Sequence, residues 1–253
     1  MVSVIWYTYR MIQETITYTC RSCGSDNIIK NGTNRCGNPQ YHCKECGVYR
    51  VLKPKVRHSQ EKKEQILKAC QERVSLRGIE RIFNVCRQTV VKWVKAYVKT
   101  LPVLADTLAL YEVGDVLEID EMWSFVLNRA QKRWLWLALC RRTRQIVAYY
   151  IGKRDEAAAQ QLEQRIAYPY TLCVRYTDQY AVYDGVLPQH LHWAKEKGSG
   201  RTSHIENWNN TLRQRLARFV RKSLSFSKCD FMHHIMVEWF IIEHNLRMLS
   251  LTD

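Results

Sequence analysis

Between Arg201 and Lys222 the chain carries seven charged residues, and only Glu206, in the stretch Ser203-His-Ile-Glu-Asn-Trp-Asn-Asn, is acidic. Two further acids stand where apolar runs end: Asp120 in VLEIDEMWSFV and Asp178 in YTLCVRYTD. Carboxylates gathered at strand ends repel one another and need cations, and paired magnesium ions bridging hard oxygen ligands are the usual solution. Two such ions activate an attacking hydroxyl and stabilise the leaving oxygen of a phosphodiester, so these residue types suggest metal-assisted phosphoryl transfer. A single acid at a strand end is more often a turn residue. Ser203 and Glu206 also match a helix-capping box, with Ser203 as N-cap. Only the three acids together point to a metal site.

A second constellation is Cys20-Arg-Ser-Cys23 and Cys43-Lys-Glu-Cys46, which gives CxxC, nineteen residues, CxxC. Gly24 and Gly47 follow the two pairs and allow tight turns in which backbone amides approach sulfur. The spacing predicts a zinc ribbon holding one structural Zn2+ through Cys20, Cys23, Cys43 and Cys46, because four protein ligands leave no open position for chemistry. The intervening IIKNGTNR reads as a hairpin through Asn31-Gly32, folding one pair toward the other. Cys36 and His42 are near enough in sequence to replace a ligand, but the symmetry of the two knuckles argues against it.

These residues need elements to position them. Val116, Leu117 and Ile119 open a strand that runs into Asp120-Glu121; RWLWLAL (133–139), QIVAYYIG (145–152) and YTLCVRYTD (170–178) read as three more. Residues 155–165 form an alanine-rich helix. In a helix over about 204–222, Ile205, Trp208, Leu212, Leu216 and Phe219 make one apolar stripe, with Glu206, Asn210 and Arg213 on one flank and Arg215, Arg218 and Lys222 toward the other. The expected fold class is α/β: a mixed sheet flanked by helices. A final helix over about 229–248 has a broad apolar face that suits a core or a dimer contact. His233-His234 lacks metal partners.

Ahead of the sheet, Lys53–Lys99 holds thirteen Lys and Arg against four Glu, a net of +9. Ser75 can cap a helix carrying Leu76, Ile79, Ile82 and Phe83; a break at Asn84-Val85-Cys86 follows, then a helix carrying Val90, Trp93, Val94 and Tyr97. This is a helix-turn-helix pattern, with Arg87, Gln88, Thr89, Lys92 and Lys95 on the outer face where they could enter a major groove. Asn210, Arg213, Arg215 and Arg218 are expected to add phosphate contacts near Glu206. TLPVLAD at 100–106 reads as a linker, since Pro102 ends a helical pattern. The chain thus divides into residues 1–52 with the ribbon, 53–106 with the helix-turn-helix, and a catalytic domain over 107–253.

The whole chain fits this reading. Its 253 residues carry a formal charge of +15, which favours a polyanionic partner, with double-stranded DNA the leading candidate. No signal-peptide pattern and no uncharged apolar run of roughly 18 residues occur, so a soluble, cytoplasmic protein with no membrane partner is expected. Ten cysteines in a chain of this length, four of them in close pairs, suit metal binding in a reducing compartment better than a secreted disulfide scaffold.

The motifs VLEIDEMWSFV, RWLWLAL, YTDQYAVY and SHIENWNNTLRQRLARFVRKSLSFSK, behind a zinc ribbon and a helix-turn-helix, resemble those of transposases of the insertion sequence one family, from about Cys20 to about Asn245. The resemblance implies a ribonuclease-H-like domain with a DDE triad of Asp120, Asp178 and Glu206. It implies action with two catalytic Mg2+ on the terminal inverted repeats of a mobile element and on target DNA, in a homodimer or larger synaptic assembly associated with the nucleoid when bound. Many members make the DNA-binding and catalytic parts from overlapping frames, whereas here one continuous chain carries both. Among competing acids, Glu121 should point to the opposite face of its strand from Asp120, Glu118 shares a face with Asp120 but lies farther from the strand end, and Asp184 falls beyond its strand. Two other functions fit the same motifs: a DNA-binding repressor with an inert acidic domain, and a nuclease that hydrolyses without joining.

Overall fold

The computed structural model describes residues 16–34, 37–52, 58–196, 200–220 and 224–251. Cys36, Arg221 and Lys222 lie outside them. The chain forms two compact units, Met1–Ser59 and Gln60–Asp253.

In the first unit, strands β1 (Ile28–Thr33), β2 (Pro39–Cys43) and β3 (Tyr49–Arg50) form an antiparallel sheet in the order β1-β2-β3. Asn31-Gly32 does not make the turn between β1 and β2. It lies inside β1, where the register slips between Lys30 and Thr33 and Gly32 takes a φ of 63°. The chain reverses later, where the Asn34 N–H donates to the Asn38 carbonyl and the Asn34 side chain accepts from the Asn38 N–H. A bulge and a two-residue turn both require positive φ, so Asn-Gly serves either, and its presence alone does not locate the turn.

The second unit begins with three helices, α1 (Gln60–Cys70), α2 (Leu76–Phe83) and α3 (Arg87–Val98). The Ser75 hydroxyl accepts from the Gly78 N–H and so caps α2, and Asn84 ends it in the left-handed region at φ 51°. Strands β4 (Val116–Phe125), β5 (Lys132–Cys140) and β6 (Ile146–Gly152) then form an antiparallel meander. Helix α4 (Glu156–Glu163), capped by Asp155, leads to β7 (Val174–Thr177), which pairs parallel to β4. Helix α5 (Val182–Val186) precedes β8 (His192–Ala194), parallel to β7. Helices α6 (Ser203–Arg215) and α7 (Asp230–Leu249) complete the unit, and the sheet order is β6-β5-β4-β7-β8.

Strand alternation sorts the core into two layers. On one face Met122, Leu135, Leu137 and Leu139 pack with α6, α7 and buried residues of α1 to α3, among them Ile66, Ile79, Val90 and Val94. On the other, Leu117, Ile119, Trp136, Ala138 and Val147 pack against α4 and α5 through Ala158, Leu162 and Tyr183. The three basic helices therefore share a core with the sheet. The segment expected as a linker is a packed connector ending in buried Thr107, whose carbonyl accepts from Gln145 and whose hydroxyl accepts from Asn245.

The helix expected over about 204–222 is shorter. It stops at Arg215; Leu216 leaves the helical region at ψ 114° and a 3-10 turn, Ala217–Phe219, follows. The apolar stripe survives the break, because Leu216 and Phe219 are buried beside Ile205, Trp208 and Leu212. No helix among the described residues is long and apolar enough to cross a membrane.

Candidate metal centres and nucleic-acid surface

The sulfur atoms of Cys20, Cys23, Cys43 and Cys46 all lie within 4.8 Å of one another. Two of the separations, Cys20 to Cys46 and Cys23 to Cys43, are 3.6 and 3.5 Å. Tetrahedral zinc with bonds near 2.3 Å requires sulfur pairs roughly 3.8 Å apart, so the cluster has the dimensions to hold one. The knuckles match: Gly24 N–H donates to Cys20 O and Gly47 N–H to Cys43 O, with φ values of 77° and 69°. Without an ion the thiols share protons unevenly: the Ser22 amide, and then that of Cys23, hold Cys20 down at about 6, while at Cys23, against the Ser25 amide, the sulfurs of Cys43 and Cys46 push the thiol up to about 12. The His42 ring stacks on Tyr49 instead of joining the cluster.

The acids depend on β4. Its side chains alternate, placing Glu118 and Asp120 on the face toward α6 and Glu121 on the opposite face, where Glu121 pairs with Arg154 at 2.6 Å and accepts from the Tyr183 hydroxyl at 2.6 Å. Asp120 has no such cation among the described residues. The parallel register of β4 and β7 runs Val116 to Val174, Leu117 to Arg175 and Glu118 to Tyr176; carried two residues further, it sets Asp120 across from Asp178. Burial, then the charges of Glu121 and Asp178, push the Asp120 carboxyl up to about 7. A buried carboxylate crowded by other acids and lacking a basic partner is the donor set that suits a hard divalent cation. Asp184 is on α5 with an exposed side chain, 3.6 Å from His192.

Glu206 is in the first turn of α6 and accepts from the Thr202 hydroxyl at 2.9 Å. The expected Ser203 cap does not form: Ser203 is the first helical residue and Thr202 occupies the N-cap position without a side-chain cap bond. The cap comes from the sheet. Glu118, with a fully buried side chain, accepts from the His204 and Ile205 N–H groups at 3.0 and 3.1 Å, from His204 Nδ1 at 2.7 Å and from Arg141 Nε at 2.8 Å. This satisfies two orphan donors and puts a negative charge at the positive end of the helix. It also fixes α6 to β4 two residues from Asp120. One turn along α6 from Glu206, Asn209 Nδ2 donates to Asp120 Oδ2 at 2.7 Å.

The charge of Asp178 thus reaches Asp120, and α6 is seated against β4. Among the described residues the four cysteines are the one group of three or more side chains gathered closely enough to hold a metal ion, and Asp120, Asp178 and Glu206 do not form such a group. Glu118 and Asn209 were not singled out by the sequence as site residues. Glu118 shares a face with Asp120, which was legible, but its capping role depends on where α6 docks. Asn209 is flanked by Asn207 and Asn210, and only its burial sets it apart.

Of the basic surface, Arg87, Gln88 and Lys92 are exposed on α3 and Thr89 and Lys95 are half-buried. Arg87 pairs with Glu80 at 2.9 Å and the Lys95 ammonium lies 4.9 Å over the Phe231 ring. Asn210 is exposed and Arg213 half-buried. Arg215 and Arg218 are engaged within the unit: Arg215 with Glu72, and Arg218 through a 3.4 Å hydrogen bond to the Ser227 hydroxyl.

A family model described as IS1 transposase matches residues 115–247, more than half of the chain. The insertion element iso-IS1n protein InsB of Shigella dysenteriae is 32% identical over 129 residues, covering 51% of this chain and 95% of that protein. The insertion element IS1 protein InsB of Shigella flexneri is 35% identical over 128 residues, covering 50% and 95%. The insertion element IS1 4 protein InsB of Escherichia coli K12 is 34% identical over 128 residues, covering 50% and 74%. The matched span starts just before β4 and ends within α7, so it contains both acidic strands and the helix that bears Glu206 and Asn209. By that match the chain belongs to the IS1 family of insertion-element transposases.

Proposed function

We propose that this transposase binds the terminal inverted repeats of its element and both cuts and joins DNA strands at a ribonuclease-H-like site formed by Asp120, Asp178 and Glu206. What supports the reading is the β4–β7 register, whose continuation by two residues would set Asp178 across from Asp120, together with the docking of α6 on Asp120 through Asn209. A sheet antiparallel through β4 and parallel beyond it supports the ribonuclease-H-like assignment.

Asp120 on β4, Asp178 just after β7 and Glu206 at the start of α6 would hold two Mg2+. The ions would supply Lewis acidity and a hydroxide at neutral pH. Asn210 and Arg213, on the flank of α6 that bears Glu206, contact phosphate and keep the scissile bond near the acids despite their mutual repulsion. Arg87, Gln88, Thr89, Lys92 and Lys95 approach the major groove, while one Zn2+ on Cys20, Cys23, Cys43 and Cys46 holds the ribbon. Arg215 and Arg218 would reach DNA only by exchanging their partners Glu72 and Ser227 for phosphate. Two ends must be handled together, so the working form is a homodimer or larger assembly.

Labelled element ends, target DNA and Mg2+ test the reading with the full-length protein. Wild type is expected to cut the ends and join the resulting 3′ ends to target, while Asp120→Ala binds the ends but does neither. Equal binding without cleavage by both proteins would establish the repressor, and cleavage without joining the nuclease.

A further inference from the structure

Asn209 is 6% exposed, and its amide is used at one end only: Nδ2 donates to Asp120 Oδ2 at 2.7 Å, while Oδ1 is buried and has no hydrogen-bond partner among the described residues. An orphaned buried acceptor costs roughly 1–3 kcal/mol, and such groups call for a functional explanation. The position of the amide is well determined, because Glu118 clamps the first turn of α6 to β4 and Ile205, Trp208 and Leu212 bury the same helix. The side chain therefore reaches Asp120 from a fixed backbone.

We propose that Asn209 is a further ligand of the divalent cation held by Asp120, supplying its carboxamide oxygen. The assignment rests on the metal reading of Asp120 and Asp178 given above and adds a residue to it. Amide oxygens are ordinary partners of hard cations, alongside carboxylates. Without an ion, the N–H of Asn209 satisfies the Asp120 carboxylate. A half-turn about the last side-chain bond exchanges nitrogen and oxygen at the same place without moving the helix, and an ion between the two residues then contacts one oxygen from each. The oxygen gains a partner in that state, and the Nδ2 donors turn to the side that Oδ1 faced. Glu206 lies one turn earlier on α6, so Asn209 and Glu206 would approach the metal site from a single rigid element.

Mn2+ binding to the metal-free full-length protein, read from the electron paramagnetic resonance signal of the free ion, tests this without any activity measurement. Wild type is expected to take up Mn2+ and Asp120→Asn to lose it. Asn209→Ala is expected to weaken uptake about 10-fold or more. Asn209→Asp retains an oxygen at the same place and should keep uptake near wild type, with a lowered thermal midpoint that Mn2+ restores. Should Asn209→Ala bind Mn2+ like wild type, or Asn209→Asp bind as weakly as Asn209→Ala, the ligand assignment is overturned while the metal site stands. If wild type binds no better than Asp120→Asn, the metal reading itself falls, and this assignment with it.

Discussion

His233 illustrates how single residues hold the region around the acidic strand. It is buried on α7, with Nε2 3.2 Å from the Ser124 hydroxyl at the end of β4 and Nδ1 2.8 Å from the Ser227 hydroxyl. Burial, then the neighbouring His234 and Arg218, depress its pKa to about 4. The folded value lies below the unfolded one, so the neutral ring stabilises the fold fully above about pH 6.5, and that contribution is lost as pH falls toward 4. The loss is on the order of 3 kcal/mol. The raised Asp120 carboxyl acts in the opposite sense in wild type and variant alike, so urea denaturation should show wild type losing about this much stability relative to His233→Gln between pH 7 and 4; parallel curves would contradict it. The hydrogen bonds of His233 join segments distant in sequence and could not be foreseen from periodicity. The same holds for Asn209, one of three asparagines that differ in burial and not in type. Strand alternation, by contrast, was enough to send Glu121 to the face opposite Asp120.

At the scale of elements, what was legible depended on local signals. Ser75, the left-handed Asn84 and the apolar spacing of Val90 and Val94 fixed α2 and α3, because caps and periodicity are short-range. Helix α6 shows the opposite case: its start is capped by a carboxylate 85 positions before Ser203, and its end at Arg215 falls where the apolar stripe continues without a break. Short β8 escaped notice, since three residues beside β7 carry no readable alternation. The source of the cap gives a clear contrast in stability. Glu118→Ala should cost about 3 kcal/mol or more, because it strands two N–H groups of α6 and leaves Arg141 without its buried partner. Ser203→Ala should stay within about 0.5 kcal/mol of wild type. Chemical denaturation of the two variants decides it, and a larger loss from Ser203→Ala would restore the capping box.

For the whole molecule, the four-cysteine cluster and the two-unit division make zinc removal informative. Seven of the eight tryptophans belong to Gln60–Asp253, so intrinsic fluorescence reports that unit. Chelation, or Cys43→Ser, is expected to abolish specific binding of element ends while leaving the fluorescence melting midpoint unchanged; end binding by zinc-free protein would contradict the role of the ribbon. The charge of +15 pointed to a polyanion from the start, yet charge alone did not reveal that Arg215 and Arg218 are engaged inside the larger unit. Of the three acids, Glu206 is the one carried by a helix. The most direct measurement is therefore Mg2+-dependent cleavage of labelled element ends by Glu206→Gln, beside its melting curve and end binding. The account predicts cleavage reduced at least about 100-fold with folding and binding intact. Cleavage near the wild-type rate would contradict it.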